Sequence, residues 1–257
     1  MPAIPAWPPR SLPRLFVAAP LNATATVVLD AKQANYLANV LRLGVGGEAL
    51  LFDGRSGEWF ARVRELAKKR MILTVERQTR PIEQVPDLTL AFAPVKRAQL
   101  DWLVEKATEL GVARLVPVIT HRTVVERVKL DRLEAIAIEA AEQCGRTLLS
   151  EIGQPIALDR LLAERAPART LYFADEQGGA RLADAFAPGP AMILTGPEGG
   201  FTDEERTLIR ATPGVRAISL GPRILRAETA ALAAVAAWMA LAGDWRSPGL
   251  ALGQSPS

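Results

Sequence analysis

Residues 194–205 read LTGPEGGFTDEE and close an apolar run, a pattern that places a tight, glycine-rich loop at the end of a buried strand. Gly199 and Gly200 can adopt positive φ angles and let a ligand come close to the main chain. Thr202 is the expected start of a helix whose first turn carries three acids, residues 203–205, which would repel a phosphate. The loop therefore suits a neutral or positively charged ligand, unless it is a plain strand–turn–helix corner.

A second loop has the same arrangement and also carries two arginines. Residues 219–232 read SLGPRILRAETAAL, so that a strand ends at Gly-Pro and a helix begins a few residues later. Ile224 and Leu225 could lie against a purine, which would leave Arg223 and Arg226 for phosphates or for a substrate. Two neighbouring Gly-Pro loops would form one pocket of main-chain amides and carbonyls, suited to adenine and ribose. The cationic ligand that fits such a pocket is S-adenosylmethionine, a sulfonium.

We expect the cofactor to contact both loops, at Leu194, Thr195, Gly196, Pro197, Glu198, Gly199, Gly200, Leu220, Gly221, Ile224, Leu225, Arg226, Thr229 and Ala230. A nucleotide phosphate is a poorer candidate, because the chain has neither a G-K-[ST] phosphate loop nor a G-x-G-x-x-G fingerprint. A nucleotide-dependent enzyme that uses GPEGG for phosphate is kept as an alternative.

Other kinds of site are constrained by the scarcity of two residue types. The chain has one cysteine, Cys144, and one histidine, His121, so it has no internal disulfide framework and we expect no metal site. Cys144 could be a nucleophile, but we interpret it as a small buried residue.

The apolar segments favour a protein that is not in a membrane. The longest apolar run, residues 230–242, is mostly alanine and too short to span a bilayer. The first residues lack the apolar core of a signal peptide, so we expect a cytoplasmic location. The longest run indicates a helix that is apolar on nearly all sides, and such a helix must be buried on most of them.

The N-terminal third has the pattern of a small, basic β-domain. Residues 1–80 hold 12 Lys and Arg against 6 Asp and Glu, whereas the remainder holds 19 against 22. The segments RLFVA, TATVVLD, EALLFD, EWFARVREL and MILTVERQ predict strands, with GRSG as a hairpin turn. Residues 31–43 predict one amphipathic helix with apolar Tyr36, Leu37, Val40, Leu41 and Leu43. The excess of basic residues indicates either a polyanion partner or a solvated surface.

Beyond a polar linker the pattern changes to strands that alternate with helices, which is typical of a parallel sheet covered by helices. LTLAFAP, ARLVPVIT, TLYFAD, AMILTG and VRAISLG predict strands. RAQLDWLVEKATELG, LDRLEAIAIEAAEQCG and AETAALAAVAAWMALAG predict helices. We interpret Trp102 and Trp238 as packing residues within these helices.

Four motifs together resemble the RsmE family of bacterial ribosomal RNA methyltransferases, which belongs to the SPOUT superfamily. They are EKATELGV at 105–112, EQCGR at 142–146, GPEGGFTDEE and LGPRILRAETA. The resemblance implies an α/β fold with an N-terminal PUA-like β-barrel and a methyltransferase domain with a C-terminal trefoil knot. It implies S-adenosylmethionine as cofactor, 16S ribosomal RNA or the small ribosomal subunit as substrate, and a homodimer. The expected domains are 14–78 and 88–244, with a linker at 79–87 and tails at 1–13 and 245–257.

The implied reaction is methylation of N3 of one uridine, whose proton must be removed. Positioned cations would favour the resulting anion, so Arg146 and Arg226 are candidates for stabilising it or orienting the base. Glu142 or Glu198 could take the proton, or either could hold an arginine in place. We interpret His121 as an RNA contact or a local cap rather than the base. Methylation at pyrimidine C5 uses a cysteine nucleophile, whereas N3 has a lone pair and needs no covalent adduct with Cys144.

The expected RNA-binding residues are all cations and are Arg14, Arg62, Arg64, Lys68, Lys69, Lys96 and Arg122. Two alternatives to the implied function remain open. The protein could be a non-catalytic RNA-binding protein with a SPOUT-like domain, or a SPOUT methyltransferase with a different target nucleotide.

Overall fold

The computed structural model describes residues 12–67, 70–125 and 127–246, whose contacts divide them into two units. The first unit comprises the described residues up to Gln84 together with Ala141–Leu149. The second comprises Val85–Ala140 and the described residues from Ser150 onward.

The first unit contains one five-stranded sheet. Its strands are β1 Arg14–Phe16, β2 Thr26–Val28, β3 Glu48–Phe52, β4 Glu58–Ala67 and β5 Arg70–Arg80. They lie in the order β1-β3-β4-β5-β2, with β1 parallel to β3 and every other pair antiparallel. The predicted strands and the GRSG hairpin between β3 and β4 are confirmed. The core residues come from all five strands, as expected from side chains that alternate between faces.

The single amphipathic helix predicted for residues 31–43 is wrong. Helix α1 spans only Ala31–Asn35, with the Asp30 side chain accepting from the Gln33 amide, and it continues as a π-helical turn over Tyr36–Val40. Hydrogen bonds to the fifth residue widen this turn and rotate the side chains that follow away from the 3.6-residue stripe. Leu37 is therefore buried whereas Val40 is 62% exposed.

The second unit alternates strands and helices as predicted. Its strands are β6 Leu88–Phe92, β7 Arg114–Ile119, β8 Glu151–Ile152, β9 Ile156–Ala157, β10 Thr170–Ala174, β11 Ala191–Thr195 and β12 Val215–Ile218. Its helices are α2 Arg97–Glu109, α3 Leu130–Cys144, α4 Leu158–Glu164, α5 Leu182–Ala185, α6 Asp203–Ala211 and α7 Ala227–Leu241. The last turn of α3 belongs by its contacts to the first unit, and a 3₁₀ turn at Asp244–Arg246 follows α7.

The sheet of the second unit is parallel and is covered by helices on both faces. The strand order is β12-β10-β11-β6-β7-β8, and β9 also pairs with β7. Leu90 packs in one core with Leu103 of α2 and Trp238 of α7, whereas Ala91 packs in another core with Ile209 of α6. Consecutive residues of β6 thus reach opposite faces, and both faces are buried, as in doubly wound folds.

Two expectations about individual side chains are wrong. Trp238 is a core residue as predicted, but Trp102 is 44% exposed on α2. Cys144, interpreted from the sequence as buried, is exposed at the end of α3. Helical periodicity gives the spacing of an apolar face but cannot show where a neighbouring element ends. No helix within the described ranges is long and apolar enough to cross a membrane.

Candidate cofactor cavity and its surroundings

A cavity of about 490 Å³ lies at the carboxyl ends of three adjacent strands, β10, β11 and β12. Ligands of open α/β sheets bind at this edge, and this volume lies within the range of about 300–1,000 Å³ typical of small-molecule sites. Three loops form the walls of this cavity. The residues that line it are 174–178, 195–198, 200, 219–227 and 230.

The loop after β11 has the predicted capped turn. The Thr202 side chain accepts from the Glu205 amide, and the Glu205 carboxylate accepts from the Thr202 amide, so the capping box is confirmed. Gly200 has φ +66°, as expected, but Gly199 does not have a positive φ, and that expectation is wrong. A Cβ at Gly196 would lie 2.7 Å from the Phe201 ring, so this position admits only glycine.

The loop after β12 presents main chain and two arginines to the cavity. Gly221 has φ +99°, and no atom lies within 4 Å of the place where its Cβ would be. Its backbone is therefore open to a ligand. Ile224 is 93% exposed, an unusual environment for a large apolar side chain that lines a cavity. Arg226 is the N-cap residue of α7 and lines the same cavity.

The cavity includes most, but not all, of the residues expected to contact the cofactor. The expected residues that line it are Thr195, Gly196, Pro197, Glu198, Gly200, Leu220, Gly221, Ile224, Leu225, Arg226 and Ala230. Leu194 is buried instead, in the core on the side of the sheet that α6 covers. Thr229 is exposed on α7, and Gly199 lines a different cavity.

The third wall, residues 175–178 after β10, was missed from the sequence. Asp175 is buried and accepts hydrogen bonds from Arg206 and Arg210 of α6. Arg206 also donates to Glu176, and Arg210 donates to the Gly178 carbonyl. The available signal was DEQGG, an acidic and glycine-containing turn after a predicted strand. Because β10 runs parallel to β11, the turn after β10 lies at the same edge of the sheet as the glycine-rich loop.

The electrostatics of this wall are those of a compensated ion cluster. Burial lowers the pKa of Arg206, but its hydrogen bond to Glu176 and the charges of Glu176 and Asp175 outweigh burial and raise the pKa above the ordinary value. The guanidinium therefore stays charged, and the cluster contains two cations and two carboxylates.

A second cavity, of about 500 Å³, is lined by a lysine, a histidine, an arginine and part of the glycine-rich loop after β11. Its lining residues are Lys96, His121, Arg122, Thr123, Val124, Glu198 and Gly199. Arg122 donates to the Gly199 carbonyl at 2.8 Å, and the His121 amide donates to the Glu205 carboxylate at 2.7 Å. Glu198 lines both cavities.

Two of the four candidate catalytic residues belong to each unit. Arg226 and Glu198 line the cofactor cavity. Glu142 and Arg146 belong to the first unit, where Glu142 accepts from the Phe16 amide at 2.9 Å and Arg146 donates to Glu83 at 3.2 Å. Both have specific partners within the first unit, which supports a role in holding the segment 141–149.

Arg14, expected to bind RNA, holds the same segment. Its guanidinium donates to the main-chain carbonyls of Ala141, Glu142 and Arg146 and to the Glu58 carboxylate, and its side chain is 9% exposed. This burial and these partners favour a structural role for Arg14 over the expected phosphate contact. Sequence alone could not distinguish a buried arginine from a surface one.

The remaining expected RNA contacts in the first unit differ in whether acidic neighbours already compensate their charge. Arg62 pairs with Glu48 and Glu76 at 3.0 Å each and lies over the Phe60 ring. Arg64 is exposed and lies next to a register shift between Val63 and Glu65. Lys68 and Lys69 lie outside the described residues.

Metal ligation has no support within the described part of the chain, where no group of three or more His, Cys, Asp or Glu side chains could hold an ion.

Comparison with known proteins assigns the family. A family model described as an RNA methyltransferase domain matches residues 82–239, and one described as an RNA methyltransferase PUA domain matches residues 29–76. A curated relative from Synechocystis, ribosomal RNA small subunit methyltransferase E, is 36% identical over 233 residues, covering 87% of this chain and 76% of the relative. One of the same name from Rickettsia conorii is 32% identical over 207 residues, covering 79% and 84%.

Solved structures agree with this assignment. The crystal structure of a ribosomal RNA small subunit methyltransferase E from Neisseria gonorrhoeae bound to S-adenosyl methionine is 31% identical, with a TM-score of 0.84, and the match covers 91% of this chain and 99% of that one. The two matched domains, the parallel sheet and the three-loop cavity thus occur together, and the chain belongs to the ribosomal RNA small subunit methyltransferase E family.

Proposed function

We propose that this protein is an S-adenosylmethionine-dependent methyltransferase that methylates N3 of a specific uridine in small-subunit (16S) ribosomal RNA. The observation that carries the proposal is the cavity at the ends of β10, β11 and β12, in a chain whose relative from Neisseria gonorrhoeae is described with S-adenosyl methionine bound.

The residues of the cavity fit this cofactor. The open main chain at Gly221 and the positive φ of Gly200 give a ligand access to amides and carbonyls. Asp203 and Glu204 are exposed at the start of α6, and acids near the cavity suit a positively charged ligand better than a phosphate. S-adenosylmethionine supplies a methyl group on a positively charged sulfur when it is bound.

The protein's own groups have to manage a proton and an anion. Loss of the uridine N3 proton leaves negative charge, and a positioned cation lowers the free energy of that anion. We assign this role to Arg226, and assign Glu198 to receive the proton or to hold an arginine. For Arg146 and Glu142, their contacts with Glu83 and Phe16 favour a positioning role.

The second cavity is the proposed seat of the RNA next to the reacting base. Lys96 and Arg122 line it, and both are exposed cations that can contact phosphates. Arg64 and Arg62, together with Lys68 and Lys69, are proposed as further RNA contacts of the PUA domain. This set would give sequence-independent affinity that weakens with salt.

Finer features of the fold are also proposals. The family resemblance implies a trefoil knot in the C-terminal part of the methyltransferase domain, domain limits of 14–78 and 88–244, a homodimer and a cytoplasmic location. One side of α7 supports the dimer, because small residues with some exposure follow one another at helical spacing. They are Thr229, Ala233, Ala236, Ala237 and Ala240.

The dimer has its own test. Ala237→Glu would place a charge in this side of α7 and act on both copies of a two-fold interface. Light scattering should then show a monomer, and methyl transfer should be lost. A well-folded monomer with full activity would refute the proposal that the site needs both chains.

The function is tested by incubating the protein with small ribosomal subunits and S-adenosylmethionine, digesting the RNA and identifying the methylated nucleoside by mass spectrometry. We expect 3-methyluridine. A different methylated nucleoside would favour another target. RNA binding without equimolar S-adenosylmethionine binding in calorimetry would favour a non-catalytic RNA-binding protein.

A further inference from the structure

The geometry points to Glu176 as the residue that accepts hydrogen bonds from the ribose hydroxyls of the cofactor, with Arg206 as its positioning residue. This inference rests on the proposed function, because it concerns the ligand of the same cavity. It adds a side-chain hydrogen-bond acceptor in the wall after β10 to the cofactor site.

The position of Glu176 is the first support. It lines the cavity in the wall after β10, and its side chain is 43% exposed. Its Oε1 lies 2.8 Å from the place where a Cβ of Gly200 would be, so it faces the glycine loop across a narrow gap. Asp175 cannot serve instead, because its carboxylate is 0% exposed and both oxygens accept from arginines.

The charge of Glu176 decides which part of the ligand it suits. Arg206 donates to Oε1 at 2.5 Å, and the two arginines of the cluster balance its two carboxylates. A compensated carboxylate is a weak counter-ion for an ammonium or sulfonium group, yet it keeps its capacity to accept hydrogen bonds. Oε2 has no hydrogen-bond partner among the described residues, and a neutral diol supplies two donors.

The support behind Glu176 is rigid. Asp175 binds both Arg206 and Arg210, and Arg210 also binds the Gly178 carbonyl, so α6 holds the turn at both of its ends. In dinucleotide-binding sheets an acid near a strand end likewise accepts from ribose hydroxyls. The same chemistry at a strand end of this sheet accounts for an exposed acid in the cavity wall.

Calorimetry with three ligands tests the assignment. S-adenosylmethionine has the ribose, the ammonium and the sulfonium; S-adenosylhomocysteine lacks the sulfonium; and 5′-methylthioadenosine has only adenine, ribose and a neutral thioether. Glu176→Gln should weaken all three by a similar factor, about 10- to 100-fold, as expected for hydrogen bonds to a charged acceptor. Glu134→Gln, which removes an exposed acid of α3 outside the cavity lining, is the matched control and should change none of them.

A 2′-deoxy analogue of S-adenosylhomocysteine gives the sharper comparison. The unaltered protein should discriminate against it, whereas Glu176→Gln should bind the two forms nearly equally. Arg206→Lys should keep a cation but release the carboxylate, and therefore reduce this discrimination, which a purely structural role would not do. Thermal melting of each variant verifies that it is folded.

Other outcomes would overturn the inference. A loss confined to S-adenosylmethionine would place Glu176 at the sulfonium, and a loss confined to the two amino-acid-bearing ligands would place it at the ammonium. Unchanged affinities or unchanged 2′-deoxy discrimination would remove it from the site. If the unaltered protein bound none of the ligands, the proposed function would fail and this inference with it.

Discussion

Each unit of the molecule holds a buried carboxylate between two arginines, and the two clusters serve different ends. In the first unit, Glu58 pairs with Arg14 and Arg80, and both arginines also donate to main-chain carbonyls of the segment 141–149. In the second unit, Asp175 pairs with Arg206 and Arg210, and Arg206 extends to an exposed acid in a cavity wall. The same ion-pair chemistry therefore holds the segment 141–149 in the first unit. In the second unit it positions Glu176, the proposed ligand of the cofactor ribose.

The largest expected effect is on stability, when the carboxylate of Glu58 is removed. Glu58→Ala leaves Arg14 and Arg80 without their buried partner and should lower the free energy of unfolding by about 3–5 kcal/mol. Hydrogen exchange should accelerate in β3, β4 and residues 141–149, while cofactor affinity in calorimetry stays unchanged.

Asp175→Asn is the corresponding change in the second unit and should weaken cofactor binding. Equal loss of cofactor affinity in both variants would contradict the division of roles.

The pH dependence of stability should reveal the first cluster as well. Burial alone would raise the pKa of Glu58, but hydrogen bonds and charge from Arg80 and Arg14 lower this pKa below its ordinary value. A lowered pKa in the folded state means that this stabilisation is full above the unfolded-state pKa and is lost as the pH falls below it. Urea unfolding from about pH 6 downward should therefore show less acid sensitivity in Glu58→Gln than in the unaltered protein. If the two proteins lost stability equally as the pH falls, the cluster around Glu58 would not be the source of the acid sensitivity.

The glycine loop allows a smaller, local comparison. Gly200→Val would place a branched side chain at φ +66°, with its Cβ 2.8 Å from Glu176, and should weaken cofactor binding by about 100-fold. Gly199→Ala, without positive φ and with its Cβ 3.4 Å from Arg122, should change cofactor affinity less than threefold, about 0.6 kcal/mol. Calorimetry on both variants separates the two neighbours, and a reversed order of effects would move the cofactor to the other cavity.

The smallest expected effect concerns two arginines of β4. Arg64→Ala should weaken RNA binding and reduce the salt slope by about one, because one phosphate contact is lost. Arg62→Ala should reduce it less, since Glu48 and Glu76 already compensate Arg62. Filter binding over a salt series would measure both slopes, and a larger change for Arg62 would mean that its acids release it when RNA binds.

The sequence predicted those parts of the molecule in which local signals and tertiary packing agree. The strands β10, β11 and β12 are short apolar runs that end at turn residues, so both their existence and the edge at which a ligand would bind could be inferred. The capping box at Thr202 is local chemistry and is confirmed. The two Gly-Pro loops predicted the cofactor, and the family resemblance added the RNA substrate.

The sequence could not predict features set by distant contacts. The burial of Arg14 depends on carbonyls about 130 residues away. The pairing of Asp175 with α6 depends on the same kind of contact, so the wall at 175–178 was missed. The π-helical turn at Tyr36–Val40 interrupts an apolar periodicity that appeared continuous, because periodicity assumes a constant 3.6 residues per turn.

One short loop separates the two cavities, and this has a thermodynamic consequence. Glu198 lines both, Gly200 lines one and Gly199 the other, where its carbonyl accepts from Arg122. If occupation of one cavity shifts this loop, it changes the affinity of the other cavity, and linkage requires the same factor in both directions. Binding of the methyl donor and binding of the RNA would then strengthen or weaken each other through this loop, in addition to the contact between donor and acceptor that methyl transfer itself requires.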